Sequence, residues 1–285
     1  MKPILTHCLF GLLAIVLPIV GKACPREYTI HGPEGGIAFK ITLPKGFDTA
    51  TGHCPMVILM HGIFASKDFI PMPSIARGIA AERIATIRFD FDGHGKSEGR
   101  MQDMTIEKEL ADAQAVWNYA RSLKYVNQIG ILGHSQGGVI ASMTAGRLAA
   151  RRDGSEPAAI VLIAPGTVIK EACQSGKFFN ARFDPTNPPE YIRCWGMMKL
   201  GRDYLKTTQT LDIYGTAAAY TGPVLLLHGN RDKIVPRWCS EKYLTIYGKK
   251  ATLQIIEGEN HTITRRRKTV VAKTVDFFKS VLFAD

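Results

Sequence analysis

Six short apolar runs constrain the fold of this 285-residue chain more than any other feature. Most are rich in β-branched residues, and they lack the polar alternation of a half-exposed strand. They lie at residues 56–60, 84–89, 129–132, 160–163, 224–227 and 252–256. Runs of this length are typical of strands that are buried on both faces of a parallel sheet.

Helical patterns lie between and after these runs, at residues 106–123, 139–150 and 270–283. In the first of them, Leu110, Ala113 and Trp117 fall on one helical face. Strands that alternate with helices imply right-handed crossovers, so the sequence predicts a doubly wound, mostly parallel α/β sheet. Residues 37–43 alternate between apolar and polar, which predicts an antiparallel edge strand.

Residues 166–222 interrupt the alternation. They contain no apolar strand run but many aromatic residues and several prolines. Loops of this length are rare in compact domains unless they form lids or binding elements. We therefore predict a cap inserted into the sheet, although a helical subdomain that packs its aromatic residues inward would have the same composition.

The N-terminus has the layout of a secretory signal peptide over residues 1–23. Lys2 is followed by an uncharged stretch at residues 4–20, and small residues occupy the usual cleavage positions around Ala23. This predicts export to the periplasm or the medium and a mature domain at residues 24–285. An uncleaved membrane anchor is the alternative, but the uncharged stretch is shorter than the ~20 residues of a membrane span.

Cys24 follows the predicted cleavage position and would be acylated if the protein were a bacterial lipoprotein, which is the only membrane contact expected. Gly21 stands where the lipoprotein signal normally has a bulky aliphatic residue. With Cys24 acylated, four cysteines would remain and could form two disulfides. Cys173 and Cys194 share the insertion and are the favoured pair. The cysteines lack CxxC spacing, so we predict no structural zinc or other metal site.

The formal net charge is +11, of which +9 remains without the two leader lysines. The densest basic clusters, Arg151-Arg152 and residues 265–268, accompany no nucleic-acid-binding motif. We interpret them as solvated faces and expect no nucleic-acid partner. The positive charge also motivates the hypothesis that basic residues near the functional site favour acidic sugars.

Residues 133–137, Gly-His-Ser-Gln-Gly, match the G-x-S-x-G pattern in its required setting. The pattern lies between a predicted strand and a predicted helix, where a strained turn can hold the hydroxyl of Ser135 clear of the backbone. A serine in this position is a nucleophile once a histidine takes its proton.

The partners of Ser135 are predicted from chain order, which in this architecture is serine, then an acid, then histidine. Asp232 lies in the loop after the run at 224–227, and His261 lies in the loop after the run at 252–256. Glu259 is a competing acid, which we expect to be a solvated loop residue. His134 and His228 cannot complete the order and are expected to serve packing or hydrogen bonding.

Two backbone N–H groups are needed to stabilise the oxyanion of a tetrahedral intermediate. One is expected from Gln136, the residue after the nucleophile. The other is expected from the loop after residues 56–60, with Ile63 as the predicted donor and Phe64 as the neighbouring alternative.

Three segments resemble the bacterial cinnamoyl and feruloyl esterases of the α/β-hydrolase superfamily: residues 89–99, 133–139 and 257–261. The resemblance extends from about residue 37 to residue 278. It implies an α/β-hydrolase fold and the release of ferulate or p-coumarate from plant cell-wall or chlorogenate-type esters. It also implies a cap that binds the phenolic hydroxyl through a tyrosine and an acid. Tyr204 matches the tyrosine, and the acid aligns with Ala172, beside Glu171.

The expected substrate is thus a small or polysaccharide-linked ester, and hydrolysis by Ser135 needs no cofactor. A general short-acyl carboxylesterase or a lipase-like hydrolase is the first alternative. A serine peptidase with the same three residues is the second. A non-catalytic binding protein on the same fold is the third, because a fold alone does not determine function.

Overall fold

An eight-stranded sheet lies at the centre of the protein, whose computed structural model describes residues 27–284. The predicted leader and Cys24 lie outside the described residues, so export and acylation stay predictions. The strands of the sheet are β1 (Glu27–His31), β2 (Gly36–Thr42), β3 (Cys54–Met60), β4 (Ala85–Phe89), β5 (Val126–His134), β6 (Ile160–Ile163), β11 (Val224–Gly229) and β12 (Ala251–Ile256).

The strand order is β1-β2-β4-β3-β5-β6-β11-β12. Every pair from β4 to β12 is parallel, whereas β1 and β2 pair antiparallel with each other and β2 pairs antiparallel with β4. The run predicted as an antiparallel edge strand is β2. It is antiparallel, but it is not the edge, because the short strand β1, with four of its five residues exposed, covers its outer side.

Helices cover both faces of the sheet and bury it. The long helices are α1 (Met72–Ala81), α2 (Ile106–Ser122), α3 (Gln136–Ala149), α7 (Trp238–Tyr247) and α8 (Arg267–Leu282). Residues of α1 and α8 share one apolar core with Val57, Leu59 and Leu132, and residues of α2, α3 and α7 share the other. This arrangement confirms the predicted doubly wound α/β sheet.

Residues 166–222, which we call the insertion, connect β6 to its sheet neighbour β11. The strands within it form two short antiparallel pairs. Its elements are α4 (Ile169–Ser175), β7 (Lys177–Phe178), β8 (Ala181–Arg182), β9 (Tyr191–Cys194), β10 (Met198–Gly201), α5 (Arg202–Thr207) and α6 (Ile213–Ala217). The role of the insertion as a cap stays a prediction.

The expected disulfide between Cys173 and Cys194 is absent: both are free thiols, as are Cys54 and Cys239 among the described residues. Each thiol is buried and packs as a small apolar group. Burial raises the pKa of Cys173 to about 12 and that of Cys194 to about 11. These thiols are therefore unreactive at neutral pH. Within residues 27–284, no helix is both long enough and apolar enough to cross a membrane.

Candidate active site

Ser135 lies at the turn between β5 and α3 in a conformation that side chains rarely adopt, with φ +56° and ψ −123°. The turn is possible because glycines flank it. A Cβ atom at Gly133 would collide with the backbone of Gly137, and one at Gly137 would collide with the carbonyl groups of Met60 and His61. The G-x-S-x-G pattern thus reflects close backbone packing, which presents the serine at the carboxyl end of the sheet.

The structure brings together the three side chains that were predicted to act in one reaction. His261 Nε2 lies 2.9 Å from Ser135 Oγ, and His261 Nδ1 lies 2.7 Å from Asp232 Oδ2. Ser135 and His261 keep 7% and 8% of their surface exposed, whereas the Asp232 side chain keeps only 1%. The serine and the imidazole are therefore reachable from solvent while the carboxylate is buried behind them.

The surroundings of Asp232 favour its ionised form. Its Oδ1 atom accepts hydrogen bonds from the N–H groups of Ile234 (2.8 Å) and Val235 (2.9 Å). Burial alone would raise the pKa of Asp232, but the hydrogen bond with His261 and these two N–H groups outweigh it and hold the pKa below its usual value. An ionised carboxylate fixes Nδ1–H of the imidazole and leaves Nε2 free to accept a proton.

His134 and His228 hold the loops that carry the site, as expected. His134 Nε2 lies 2.8 Å from the carbonyl oxygen of His261. Burial, together with nearby His261, lowers the pKa of His134 to about 3, so its ring is a neutral donor to that carbonyl. His228 pairs with Ser240 Oγ (2.8 Å) and the carbonyl oxygen of Val235 (3.0 Å), which anchors the Asp232 loop.

The prediction that Glu259 is a solvated loop residue is wrong, because its side chain is fully buried. Its carboxylate accepts hydrogen bonds from the N–H groups of Asn260 (2.8 Å), Arg265 (3.1 Å) and Arg266 (2.6 Å). These three donors compensate the buried charge and close the loop that carries His261. Glu259, the acid that competed with Asp232, thus forms its hydrogen bonds with the backbone.

The two N–H groups predicted to stabilise an oxyanion border the same cavity as Ser135. Ile63 and Gln136 both line it, and no acceptor within residues 27–284 pairs with either amide. Gly166 faces them from the end of β6: a Cβ atom there would lie 3.4 Å from Gln136 N and 3.5 Å from Ser135 Oγ. The absence of a side chain at Gly166 keeps open the space where a substrate oxygen would bind.

The cavity beside Ser135 has a volume of about 270 Å³ and is mostly apolar. The insertion and the loop after β11 supply most of its wall. Its lining comprises Ile63, Ser135, Gln136, Gly166, Val168, Ile169, Ala172, Lys177, Phe178, Phe179, Lys233, Ile234 and Val235. Lys177 and Lys233 are its only charged members among the described residues, and both are exposed.

Neither of the two predicted substrate contacts, Tyr204 and Glu171, lines this cavity. Glu171 is exposed on α4, and it is its neighbour Ala172 that faces the cavity. Tyr204 is fully buried, and its hydroxyl donates to Gln136 Oε1 at 2.7 Å. The proton of the Tyr204 hydroxyl is therefore engaged by Gln136.

The side chain of Gln136 joins α5 to α2, a connection that sequence reasoning missed. While Tyr204 donates to its oxygen, Gln136 Nε2 donates to Glu109 Oε2 at 2.8 Å. Glu109 is buried, and desolvation raises its pKa well above the usual value. Gly166 was missed as well, although a glycine after a strand at the carboxyl end of the sheet is a recognisable signal.

Metal ligation has no candidate here: the described residues contain no group of three or more His, Cys, Asp or Glu side chains that could hold an ion.

A family model described as serine aminopeptidase, S33, matches residues 52–186. Two curated proteins of Escherichia coli, each an uncharacterized 31.7 kDa protein in the traX-finO intergenic region, are 30% identical over 114 residues. That match covers 39% of this chain and 38% of each relative.

Among solved structures, Est1E from Butyrivibrio proteoclasticus with ferulic acid bound is similar, with a TM-score of 0.83 and 29% identity. The match covers 90% of this chain and all of that one. A second Est1E structure matches with a TM-score of 0.80 and 27% identity, over 90% of this chain and 99% of that one. GrgF, an α/β-hydrolase from Penicillium sp. sh18, shares the fold at 15% identity and a TM-score of 0.69, over 91% of this chain and 99% of its own.

Proposed function

Since this chain has the α/β-hydrolase fold and resembles the feruloyl esterases, we propose that it hydrolyses carboxylic esters through Ser135 and releases ferulate or related hydroxycinnamates. The esters would be of plant cell-wall or chlorogenate type. The observation that carries the proposal is the hydrogen-bonded series Ser135, His261 and Asp232 at the mouth of an apolar cavity. The similarity to known proteins supports an esterase-like hydrolase. Specificity for a hydroxycinnamoyl acyl group is our proposal.

In the proposed acylation step, His261 Nε2 takes the proton of Ser135 as Oγ attacks the ester carbonyl carbon. The N–H groups of Ile63 and Gln136 would then stabilise the oxyanion, each contributing about 3 kcal/mol to the lowering of the barrier. Asp232 stabilises the imidazolium that forms. The tetrahedral intermediate collapses when protonated His261 gives its proton to the departing alcohol.

In the deacylation step, water replaces the alcohol. His261 Nε2 takes a proton from the water as its oxygen attacks the acyl carbon, and Ser135 Oγ leaves with that proton. The products are the carboxylic acid and the regenerated enzyme. This sequence of steps requires only protein groups and water.

The cavity supports an aromatic acyl group. Phe178 and Phe179 form part of its wall, and Val168, Ile169 and Ala172 complete an apolar surface on the insertion. Flat aromatic rings bind well against such walls. Est1E, which the chain resembles, binds ferulic acid. We therefore propose the insertion as the cap that determines acyl specificity.

A serine aminopeptidase is the alternative that the family model's description favours. An aminopeptidase has to hold a positively charged substrate N-terminus, for which a carboxylate is the suitable partner. Within the described part of the chain, the cavity lining contains no acidic side chain and two lysines. These lysines would repel an ammonium group, so this observation favours ester hydrolysis.

The test compares kcat/KM on methyl ferulate, 4-nitrophenyl butyrate and leucine 4-nitroanilide, with Ser135→Ala as the control. We expect methyl ferulate to be preferred, and the variant to lose a factor of about 10⁴ or more in kcat. Preference for butyrate would make the protein a general carboxylesterase, and preference for the anilide would make it a peptidase. Full activity of Ser135→Ala would refute the proposed nucleophile.

Location remains a proposal that depends on the leader alone. A signal peptide over residues 1–23 would deliver the enzyme to the periplasm or the medium, where plant-derived esters are accessible. Acylation at Cys24 would keep it at a membrane. Mass spectrometry of the protein purified from its native host distinguishes these two outcomes by the mass of the N-terminal peptide.

A further inference from the structure

Basic side chains line two neighbouring cavities, one beside Ser135 and one beside His261. Lys177 and Lys233 lie at the cavity beside Ser135. A second, more open cavity of about 620 Å³ lies against His261 and is lined by Arg231, Lys233 and Arg265. Lys233 and Ile234 belong to both cavities, so they form the boundary between them.

Within the described part of the chain, these cations have no acidic partner. Lys177, Arg231, Lys233 and Arg265 are exposed, and none takes part in an ion pair within residues 27–284. Asp232 is the one acid of the described chain in either lining, and its buried carboxylate is engaged by His261 and two backbone N–H groups. The second cavity therefore carries an excess of positive charge.

The position of the second cavity relates it to one half of the substrate. His261 gives its proton to the departing alcohol, so the alcohol portion of the ester lies on the His261 side. We infer that this alcohol portion carries a carboxylate, which Arg231, Lys233 and Arg265 attract. The inference rests on the ester hydrolysis proposed above and names the substrate class that the same site would prefer.

The interaction is one between exposed charges, so we expect a moderate, salt-dependent gain. Three cations near one carboxylate would raise kcat/KM about tenfold at low ionic strength. Raising the salt concentration shortens the screening length from ~10 Å at 0.1 M to ~3 Å at 1 M, which would remove most of the gain. Binding rather than chemistry is affected, so the change falls on KM.

Two sources could supply a carboxylate in this position: a free hydroxy acid such as quinate, or a uronic acid residue of a polysaccharide. The experiment therefore uses two matched pairs of esters. One pair is chlorogenate and its methyl ester. The other is a feruloyl uronoside and the feruloyl glycoside of the corresponding neutral sugar. Within each pair the acyl group is the same, the alcohol portions differ chiefly in charge, and the release of the hydroxycinnamic acid is the reaction that is measured.

The double variant Lys233→Gln/Arg265→Gln removes two of the cations. Its matched control is Lys249→Gln/Lys250→Gln, which removes two exposed lysines, also outside any ion pair of the described chain, that precede β12 at the opposite end of the sheet. The quantity to measure is the ratio of kcat/KM for the charged ester to that for the neutral ester, in 20 mM and 1 M NaCl.

We expect a ratio of about ten for the wild type in at least one pair, near one in 1 M NaCl, and below three for Lys233→Gln/Arg265→Gln. The pair that shows the preference identifies the source of the carboxylate. A ratio near one for the wild type, with brisk turnover of the neutral esters, overturns this inference and leaves the esterase intact. An equal fall in both double variants overturns the assignment to this cavity, and failure to hydrolyse any of the esters overturns the proposed function together with the inference.

Discussion

The loops at the carboxyl end of the sheet and the insertion both form walls of the cavity, but different interactions hold them in place. Hydrogen bonds fix the loops: Asp232 and Glu259 accept backbone N–H groups, and His134 pairs with the carbonyl of His261. In the insertion, aromatic packing adds to the hydrogen bonds: Phe178 contacts Phe179 and Tyr204 edge-on, and the Tyr204 hydroxyl donates to Gln136 Oε1.

This difference teaches which properties of the site can vary independently. Hydrogen bonds have strict directions, so the distances among the three reacting side chains depend on residues that tolerate little change. Apolar packing tolerates substitutions of similar volume, so the cavity wall can change shape without moving those side chains. We expect substitutions in the loops to affect the rate of the chemical step and those in the insertion to affect substrate choice.

We expect the largest loss of kcat from Asp232→Asn, a substitution in one of the loops. The asparagine keeps an oxygen for the N–H groups of Ile234 and Val235, but its amide group donates to His261 Nδ1. The imidazole then carries its proton on Nε2 and cannot accept that of Ser135. We expect kcat to fall by about 10³- to 10⁴-fold with little change in KM.

Asp212→Asn is the matched control in the insertion. Asp212 also accepts a backbone N–H, that of Gly215 at 3.0 Å, where it caps α6. We expect kcat to stay within twofold of the wild type because this cap lies outside the cavity lining. Equal losses in the two variants would abolish the distinction between the loops and the insertion.

The loops were also the region that sequence could predict best. The apolar runs mark the strands, and the chemistry must follow their carboxyl ends in a fixed chain order, which led to Ser135, Asp232 and His261. The structure places these side chains within hydrogen-bonding distance, and their catalytic roles stay a prediction. Short patterns suffice here because each reflects a local backbone requirement, such as the strained turn at Ser135.

The sequence could not predict the direction of a side chain whose partners lie far away in the chain. Tyr204 matched a substrate-binding tyrosine, but it points to Gln136, 68 positions away in the chain, and not to the cavity. Glu259 has a loop-like sequence context, yet the folded loop supplies three N–H donors that allow it to be buried. Neither partner set can be deduced from periodicity or spacing, because both arise from tertiary packing.

The second prediction concerns Gly166→Ala, at the point where β6 leads into the insertion. The added methyl group would lie 3.4 Å from Gln136 N and 3.5 Å from Ser135 Oγ, in the space that a substrate oxygen needs. An oxyanion has to approach its donors to about 2.7–3.1 Å, so we expect kcat to fall about 10²-fold, comparable to the loss of one donor.

For Gly166→Ala, stopped-flow and steady-state kinetics on methyl ferulate separate the acylation of Ser135 from its deacylation. A thermal melt checks that the variant is folded. A change confined to KM would contradict the prediction. It would show that Gly166 shapes only the binding wall and belongs functionally with the insertion.

The smallest expected effect tests whether the insertion influences the chemistry at all. Tyr204→Phe removes the hydroxyl that donates to Gln136 Oε1 and leaves that oxygen buried without its donor. We expect the free energy of unfolding to fall by about 1–2 kcal/mol. The backbone N–H of Gln136 is held by the turn and helix α3 rather than by its side chain, so kcat should fall less than threefold.

Tyr247→Phe is the control for this last comparison, because the Tyr247 hydroxyl is buried with no hydrogen-bond partner within the described chain. Its removal leaves no partner unpaired and relieves the burial of a lone polar group, so stability should be unchanged or slightly higher. Urea unfolding monitored by fluorescence measures both variants. A loss of more than tenfold in kcat for Tyr204→Phe, at a stability cost no greater than predicted, would mean that α5 positions the oxyanion donor through Gln136. In that case the insertion would govern the rate of the chemical step as well as the choice of substrate.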